Sequence, residues 1–143
     1  LSYSLKLFGK VEKVFSKLYY QNHKKIDVET EAKIYCLTKN KIDLGIFINF
    51  LSNKEERYCE IVGTKSKLLL DLKNKKIILN NKKINHINEN KNQMYEDQLN
   101  FFFNNIKNKK KIILEKFNNA SETVKFIKAI KLSNYKKKFV RIN

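Results

Sequence analysis

Five apolar residues at alternate positions, Ile42, Leu44, Ile46, Ile48 and Phe50, constrain this chain more than any other feature. A repeat of two is that of a β-strand, whose side chains point alternately to its two faces. A helix would scatter the same residues around its circumference. The other register holds Asp43, Gly45, Phe47, Asn49 and Leu51. It is half apolar, so this strand is expected to be covered on both faces.

The neighbouring segments build a sheet around it. Lys10 to Tyr20 and Glu29 to Thr38 read as strands, the second with Ala32, Ile34 and Cys36 on one side, and Lys39-Asn40-Lys41 reads as a turn. Further strands are expected over Arg57–Val62, Ser66–Leu72, Lys76–Leu79 and Phe139–Ile142, with a possible hairpin arm in the polar stretch Asn80–Asn92. Leu1, Leu5 and Phe8 at helical spacing before Gly9 read as the end of a helix closed by glycine. Tyr95, Leu99, Phe102, Phe103 and Ile106 form one stripe of an amphipathic helix, which should be buried. A last helix is expected over Asn119–Asn134, capped by Asn119 with Glu122 and apolar at Val124, Ile127, Ala129 and Ile130.

Strands followed by helices, without regular βαβ alternation, argue for an α+β fold. The expectation is one mostly antiparallel sheet of about six strands, helices on one face and the other face open. No repeat or internal boundary is visible, so residues 1–143 are read as a single domain. The start at Leu1 instead of Met suggests a piece of a longer protein.

Charge is the most conspicuous part of the composition. The net charge is +17, yet 29 Lys stand against only 2 Arg. Phosphate-gripping surfaces usually include Arg, whose planar fork matches phosphate oxygens. Lys, Asn and Ile, which share A- and T-rich codons, make up 64 of the 143 residues. The surplus therefore reads as a low-GC genome filling surface positions, and nucleic acid is not the expected partner. Tyr19, Tyr20, Tyr35, Phe47 and Tyr58 keep a small nucleic-acid-binding module open as an alternative. Apolar runs such as Leu68–Leu70 and Phe101–Phe103 are far below the ~18 residues of a membrane span. No signal peptide is visible, so a cytoplasmic setting is expected.

No catalytic constellation appears. The glycines, at 9, 45 and 63, are too dispersed for a phosphate loop. His23 and His86, Cys36 and Cys59 match no metal-ligand spacing, and the cysteines read as free thiols. Catalytic, cofactor-binding and metal-binding residues are thus all expected to be absent from this chain.

Four segments nevertheless make a pattern. Leu7-Phe8-Gly9-Lys10-Val11-Glu12-Lys13-Val14 resembles the helix end and "G-x-V-x-x-V" strand that open the C-terminal domain of Gfo/Idh/MocA oxidoreductases. Glu60-Ile61-Val62-Gly63-Thr64-Lys65-Ser66-Lys67-Leu68 is similar to that family's "E-I-x-G-T-x-G-x-L", with Ser66 in place of the second glycine of its tight turn. Tyr95-Glu96-Asp97-Gln98-Leu99-Asn100-Phe101-Phe102 resembles its "Y-x-x-x-L-x-x-F" helix, and Ala120 to Ser133 its closing helix.

The resemblance implies the substrate-binding and oligomerisation domain of an NAD(P)-dependent enzyme acting on a sugar, sugar nucleotide or polyol. The dinucleotide, NAD or NADP, would belong to an N-terminal Rossmann domain of the same parent chain, together with a catalytic Lys and His. This chain alone would be inactive. Its open sheet face would line the substrate pocket and build a homodimer or tetramer. Lys17, Tyr19, Asn49, Ser52 and Arg57 are the candidate substrate contacts. A non-catalytic scaffold is a further alternative.

Overall fold

The computed structural model describes residues 1–21, 28–86, 92–107 and 114–142. In chain order the elements are α1 (Ser2–Phe8), β1 (Val11–Tyr19), β2 (Glu31–Thr38), β3 (Asp43–Asn49), β4 (Tyr58–Val62), β5 (Lys67–Asp71), β6 (Lys76–Leu79), β7 (Lys82–His86), α2 (Gln93–Lys107), α3 (Leu114–Lys136) and β8 (Val140–Arg141). Contacts divide the chain into two compact units, Leu1–Leu51 with Ile112–Asn143, and Ser52–Lys111.

The first unit holds an antiparallel sheet of order β3-β2-β1-β8. Helix α1 ends at Gly9, whose φ of 86° and ψ of −175° are essentially confined to glycine. The Gly9 N–H donates to Leu5 O at 3.0 Å. The turn at Lys39–Lys41 places Lys41 at φ 63°, and the Lys41 N–H donates to Thr38 O. One sheet face carries Val14, Ile34 and Cys36, and α3 lays Phe126, Ala129, Ile130 and Ser133 upon it. These four positions follow the i, i+3, i+4, i+7 stripe of a helix face. Leu1, Leu5, Leu18, Leu44, Ile46, Val140 and Ile142 pack around this core.

Helix α3 departs from the sequence reading in two ways. It starts at Leu114, so Asn119 lies within the helix and does not cap it. Its buried stripe includes Phe126, while Val124 and Ile127 are exposed. The face of α3 that meets the sheet is the one that carries Phe126, Ala129, Ile130 and Ser133.

Two buried serines tie helix to sheet. Ser133 Oγ accepts from Ser16 N at 3.1 Å and donates to Lys138 O at 2.8 Å. Ser16 Oγ donates to Ile130 O at 2.6 Å, and Asn134 Oδ1 accepts from Leu18 N at 2.8 Å. Strand β8 pairs with β1 only at Lys13 and Val14. The N–H groups of Ser16 and Leu18 lie past it, and α3 side chains satisfy them in place of a strand.

The second unit holds an antiparallel meander of order β4-β5-β6-β7, followed by α2. Its turns use Lys75, Asn80 and Asn81 at positive φ. The β4–β5 turn closes without the second glycine, because the Gly63 N–H donates to Ser66 O at 2.9 Å.

The eight strands among the described residues thus form two sheets of four, not one sheet of about six. The antiparallel α+β class is as expected. Alternation shows where strands are but not which ladder they join, and β4 to β7 pair with their chain neighbours across short turns. The Asp43, Gly45, Phe47 and Asn49 face of β3 is exposed, in keeping with an open sheet face. One expectation of burial fails. Helix α2 has no buried residue at all, and Phe102 and Phe103 are exposed. Periodicity identifies an apolar stripe, but not whether this chain supplies its cover. His23 and the Lys109-Lys110-Lys111 run lie outside the described residues.

Candidate functional site

The sheet face of the first unit that turns away from α3 gathers aromatic and charged side chains in rows set by the strand register. Phe15, Tyr35 and Gly45 lie opposite one another on β1, β2 and β3. Lys17, Lys33 and Phe47 form the next row, and Tyr19, Glu31 and Asn49 the one beyond. Phe139 stacks at 5.5 Å from the Phe15 ring, and Lys13 Nζ lies 5.5 Å from the Phe139 centroid.

The lysines are held by the rings. Lys17 Nζ is 5.2 Å and Lys33 Nζ 5.3 Å from the Tyr19 ring centre, and Lys33 also reaches Phe47 at 5.9 Å. Such contacts are worth ~0.5–1 kcal/mol each at exposed positions. Lys33 also pairs with Glu31 at 3.3 Å, which holds the ammonium pKa above its ordinary value. Tyr35 and Phe47 remain more than half exposed, at 56% and 62%. A shallow cleft of about 430 Å³ lies over this face, lined by Lys13, Tyr35, Leu37, Asp43, Gly45 and Phe139 among others.

Lys17, Tyr19 and Asn49, three of the five expected contacts, therefore share this face. The Asn49 side chain is already engaged, its Oδ1 accepting from Leu51 N at 2.8 Å. Ser52 and Arg57 belong to the second unit. Ser52 Oγ turns back on its own loop, donating to Lys54 O at 3.0 Å and accepting from Lys54 N at 3.3 Å. Arg57 Nε stands 3.4 Å from Glu55 Oε1 in an exposed pair. The residues that sequence reasoning missed are Lys33, Phe139 and the cleft residues Lys13 and Asp43. The odd-numbered register of β1, β2 and β3 contains three of these four, and register became usable only once the pairing was known.

A second cleft, of about 410 Å³, runs between α1 and α3, lined by Ser2, Tyr3, Leu5, Lys6, Lys10, Ala120, Glu122 and Thr123. Burial raises the Glu122 pKa, but Lys10 and Lys125, each 3.5 Å away, overcome it and hold the carboxyl below its ordinary value.

Among the described residues no three His, Cys, Asp or Glu side chains come together as a metal site. Nor does a glycine join a strand to a helix N-terminus, the place where a dinucleotide pyrophosphate is cradled. Gly9 follows a helix, Gly45 lies within β3, and Gly63 sits in a hairpin turn. Among the described residues no helix is long and apolar enough to cross a membrane.

No protein-family model matches the sequence, and no curated protein does. Solved structures do match. An oxidoreductase from Thermotoga maritima is 20% identical, with a TM-score of 0.77 over 99% of this chain and 41% of its own. A levoglucosan dehydrogenase solved with NADH and levoglucosan is 12% identical, with a TM-score of 0.76 over 97% of this chain and 47% of its own. The WlbA dehydrogenase from Bordetella pertussis, solved with NADH and UDP-GlcNAcA, is 14% identical, with a TM-score of 0.58 over 99% and 42%. The fold is that of part of the Gfo/Idh/MocA-type oxidoreductases. The chain spans less than half the length of these structural relatives. The family resemblance read from Leu7–Val14, Glu60–Leu68, Tyr95–Phe102 and Ala120–Ser133 thus agrees with the three-dimensional likeness.

Proposed function

We propose that this chain is the substrate-binding and oligomerisation domain of an NAD(P)-dependent oxidoreductase that acts on a sugar, sugar nucleotide or polyol. The observation that carries the reading is the match over 99% of this chain but only 41% of the Thermotoga oxidoreductase. The remaining part of such an enzyme would be an N-terminal Rossmann domain of the same parent chain, holding NAD or NADP and the catalytic groups. The domain alone is then inactive, and the parent enzyme is cytoplasmic. Lys17, Tyr19, Asn49, Ser52 and Arg57 are the proposed substrate contacts. The open sheet face pairs with a second copy in a homodimer or tetramer, burying Tyr35, Phe47 and Phe139.

The test is to compare this chain with the protein extended upstream to its natural start. The extended protein should bind NADH or NADPH, read as a change in the nucleotide's fluorescence, and should reduce NAD+ or NADP+ with a sugar or polyol; this chain should do neither. A natural start at Leu1, or an extended protein without dinucleotide binding, overturns the reading.

The interleaving of Lys13, Lys17 and Lys33 with five rings favours one second reading, a platform for single-stranded nucleic acid. It requires an affinity for oligonucleotides that falls steeply with salt. Oligonucleotide binding unaffected by Phe47→Ala would remove the platform from consideration.

A further inference from the structure

The strand register of the first unit forces like charges together on one sheet face. Lys13 on β1 lies directly opposite Arg141 on β8, and Lys17 directly opposite Lys33 on β2. Residues opposed across an antiparallel ladder project to the same face, and like charges so placed are destabilising. The rings ease this in part: Lys13 lies over Phe139, and Lys17 and Lys33 converge on Tyr19. Acids do little more. Among the described residues Lys33 is the one member of the four that is ion-paired, to Glu31 at 3.3 Å. Glu12 feels both Arg141 and Lys13, but Lys41 holds its carboxylate at 2.9 Å.

Beside the first of these pairs the face is hollow. The row of Lys13 runs on through Leu37 to Asp43, two strand spacings or about 10 Å away. The next row holds Phe15, Tyr35 and Gly45, and a Cβ at Gly45 would meet no atom within 4 Å. The cleft of about 430 Å³ lies here, a volume typical of small-molecule sites. Its cationic end, its aromatic wall and its acidic end all belong to the first unit.

We infer that this cleft takes a sugar derivative carrying a phosphate or carboxylate group, with the anion on the Lys13–Arg141 pair and the sugar ring on Tyr35. This rests on the substrate-binding reading above and narrows its three substrate classes to the anionic ones. The Arg141 guanidinium is a planar fork that matches carboxylate or phosphate oxygens. Tyr35 offers its ring to the apolar face of a pyranose, and Asp43 accepts from hydroxyls at the far end. The Lys17–Lys33 pair adds to the attraction. The anion relieves the repulsion that the register builds in. In the homodimer proposed above the ligand lies between the two copies.

Isothermal titration calorimetry of the 143-residue chain at fixed ionic strength tests this, with glucose, glucose 6-phosphate, glucuronate and inorganic phosphate as ligands. Glucose 6-phosphate or glucuronate should bind roughly tenfold more tightly than glucose, the scale of one charge-assisted contact. The stronger of the two identifies the group recognised. Lys13→Gln with Arg141→Gln should bring that ligand down to the affinity of glucose, and Tyr35→Ala should weaken both. Lys128→Gln on α3 should change neither; an equal loss there would show general attraction to a basic protein and overturn the site. Relief of repulsion should leave the double variant at least as heat-stable as wild type, and a lower midpoint would make the pair structural and overturn the site. No binding, equal affinity for glucose and the anionic sugars, or inorganic phosphate bound as tightly as glucose 6-phosphate overturns it too. Dinucleotide binding by the extended protein decides separately the reading on which it rests. An oligonucleotide that binds more tightly than these sugars, and is lost in the same double variant, transfers the patch to nucleic acid.

Discussion

Replacing Ser133 by Ala removes one oxygen from a fully buried position at the junction of α3 with β1. That oxygen accepts the Ser16 N–H at 3.1 Å and donates to Lys138 O at 2.8 Å. The two losses are unequal. Ser16 is 3% exposed, so its N–H is left without water or strand partner and bears a desolvation cost of ~1–3 kcal/mol. Lys138 is exposed, so water can replace the lost donor to its carbonyl at little cost. Alanine is the better helix former by a few tenths of a kcal/mol, which acts in the opposite direction. The net expectation is a loss of about 2 kcal/mol, or a fall in Tm of roughly 5–10 °C for a chain of this size. Urea unfolding followed by circular dichroism measures it, with Lys128→Ala on the exposed side of α3 as control. A loss below about 0.5 kcal/mol, the scale of an ordinary surface change, would refute the role of Ser133 in closing the β1 edge.

Three further outcomes are expected. Gly9→Ala should cost ~1–3 kcal/mol in the same unfolding assay, because φ 86° with ψ −175° is strained for any residue with a Cβ. Cys59 should react with a thiol reagent in the folded protein well before Cys36. Burial pushes the Cys36 thiol up to about 11 and also raises the partly buried Cys59, so Cys36 labelling should track global unfolding. Glu29 pairs with Lys131 at 3.1 Å, and a backbone hydrogen bond followed by the Lys131 ammonium holds its carboxyl below the ordinary value. A depressed folded-state pKa stabilises above the unfolded value of roughly 4.3 and is lost as pH falls below it. Glu29→Gln should therefore destabilise the protein at pH 7 and converge with wild type near pH 3; a pH-independent difference would show that the charge is not responsible.

Much of the fold is legible along the chain because its signals are local. Gly9 marks the end of α1 through a backbone angle that other residues resist. The alternation through Ile42–Phe50 locates β3 within about a residue, since one register meets Ile34 and Cys36 across the ladder. The candidate site is less legible. Tyr19 and Asn49 are 30 residues apart and become neighbours of Glu31 only through the β1–β2 and β2–β3 registers. Asn49 and Ser52 show the opposite error: polar side chains near a strand end look free in sequence but satisfy their own loop backbone.

The sequence by itself determined where most strands and helices lie, the α+β class and a family resemblance that agrees with the fold, because spacing and backbone preference act over a few residues. Only the tertiary structure decided which strands share a ladder, which stripe of α3 is buried, and that the stripe of α2 is not. Those outcomes depend on long-range pairing and on the volume available between elements, which no local pattern encodes. Phe126 is buried and Phe103 exposed, though both are aromatic residues on helices; Phe126 packs on the sheet of its own unit.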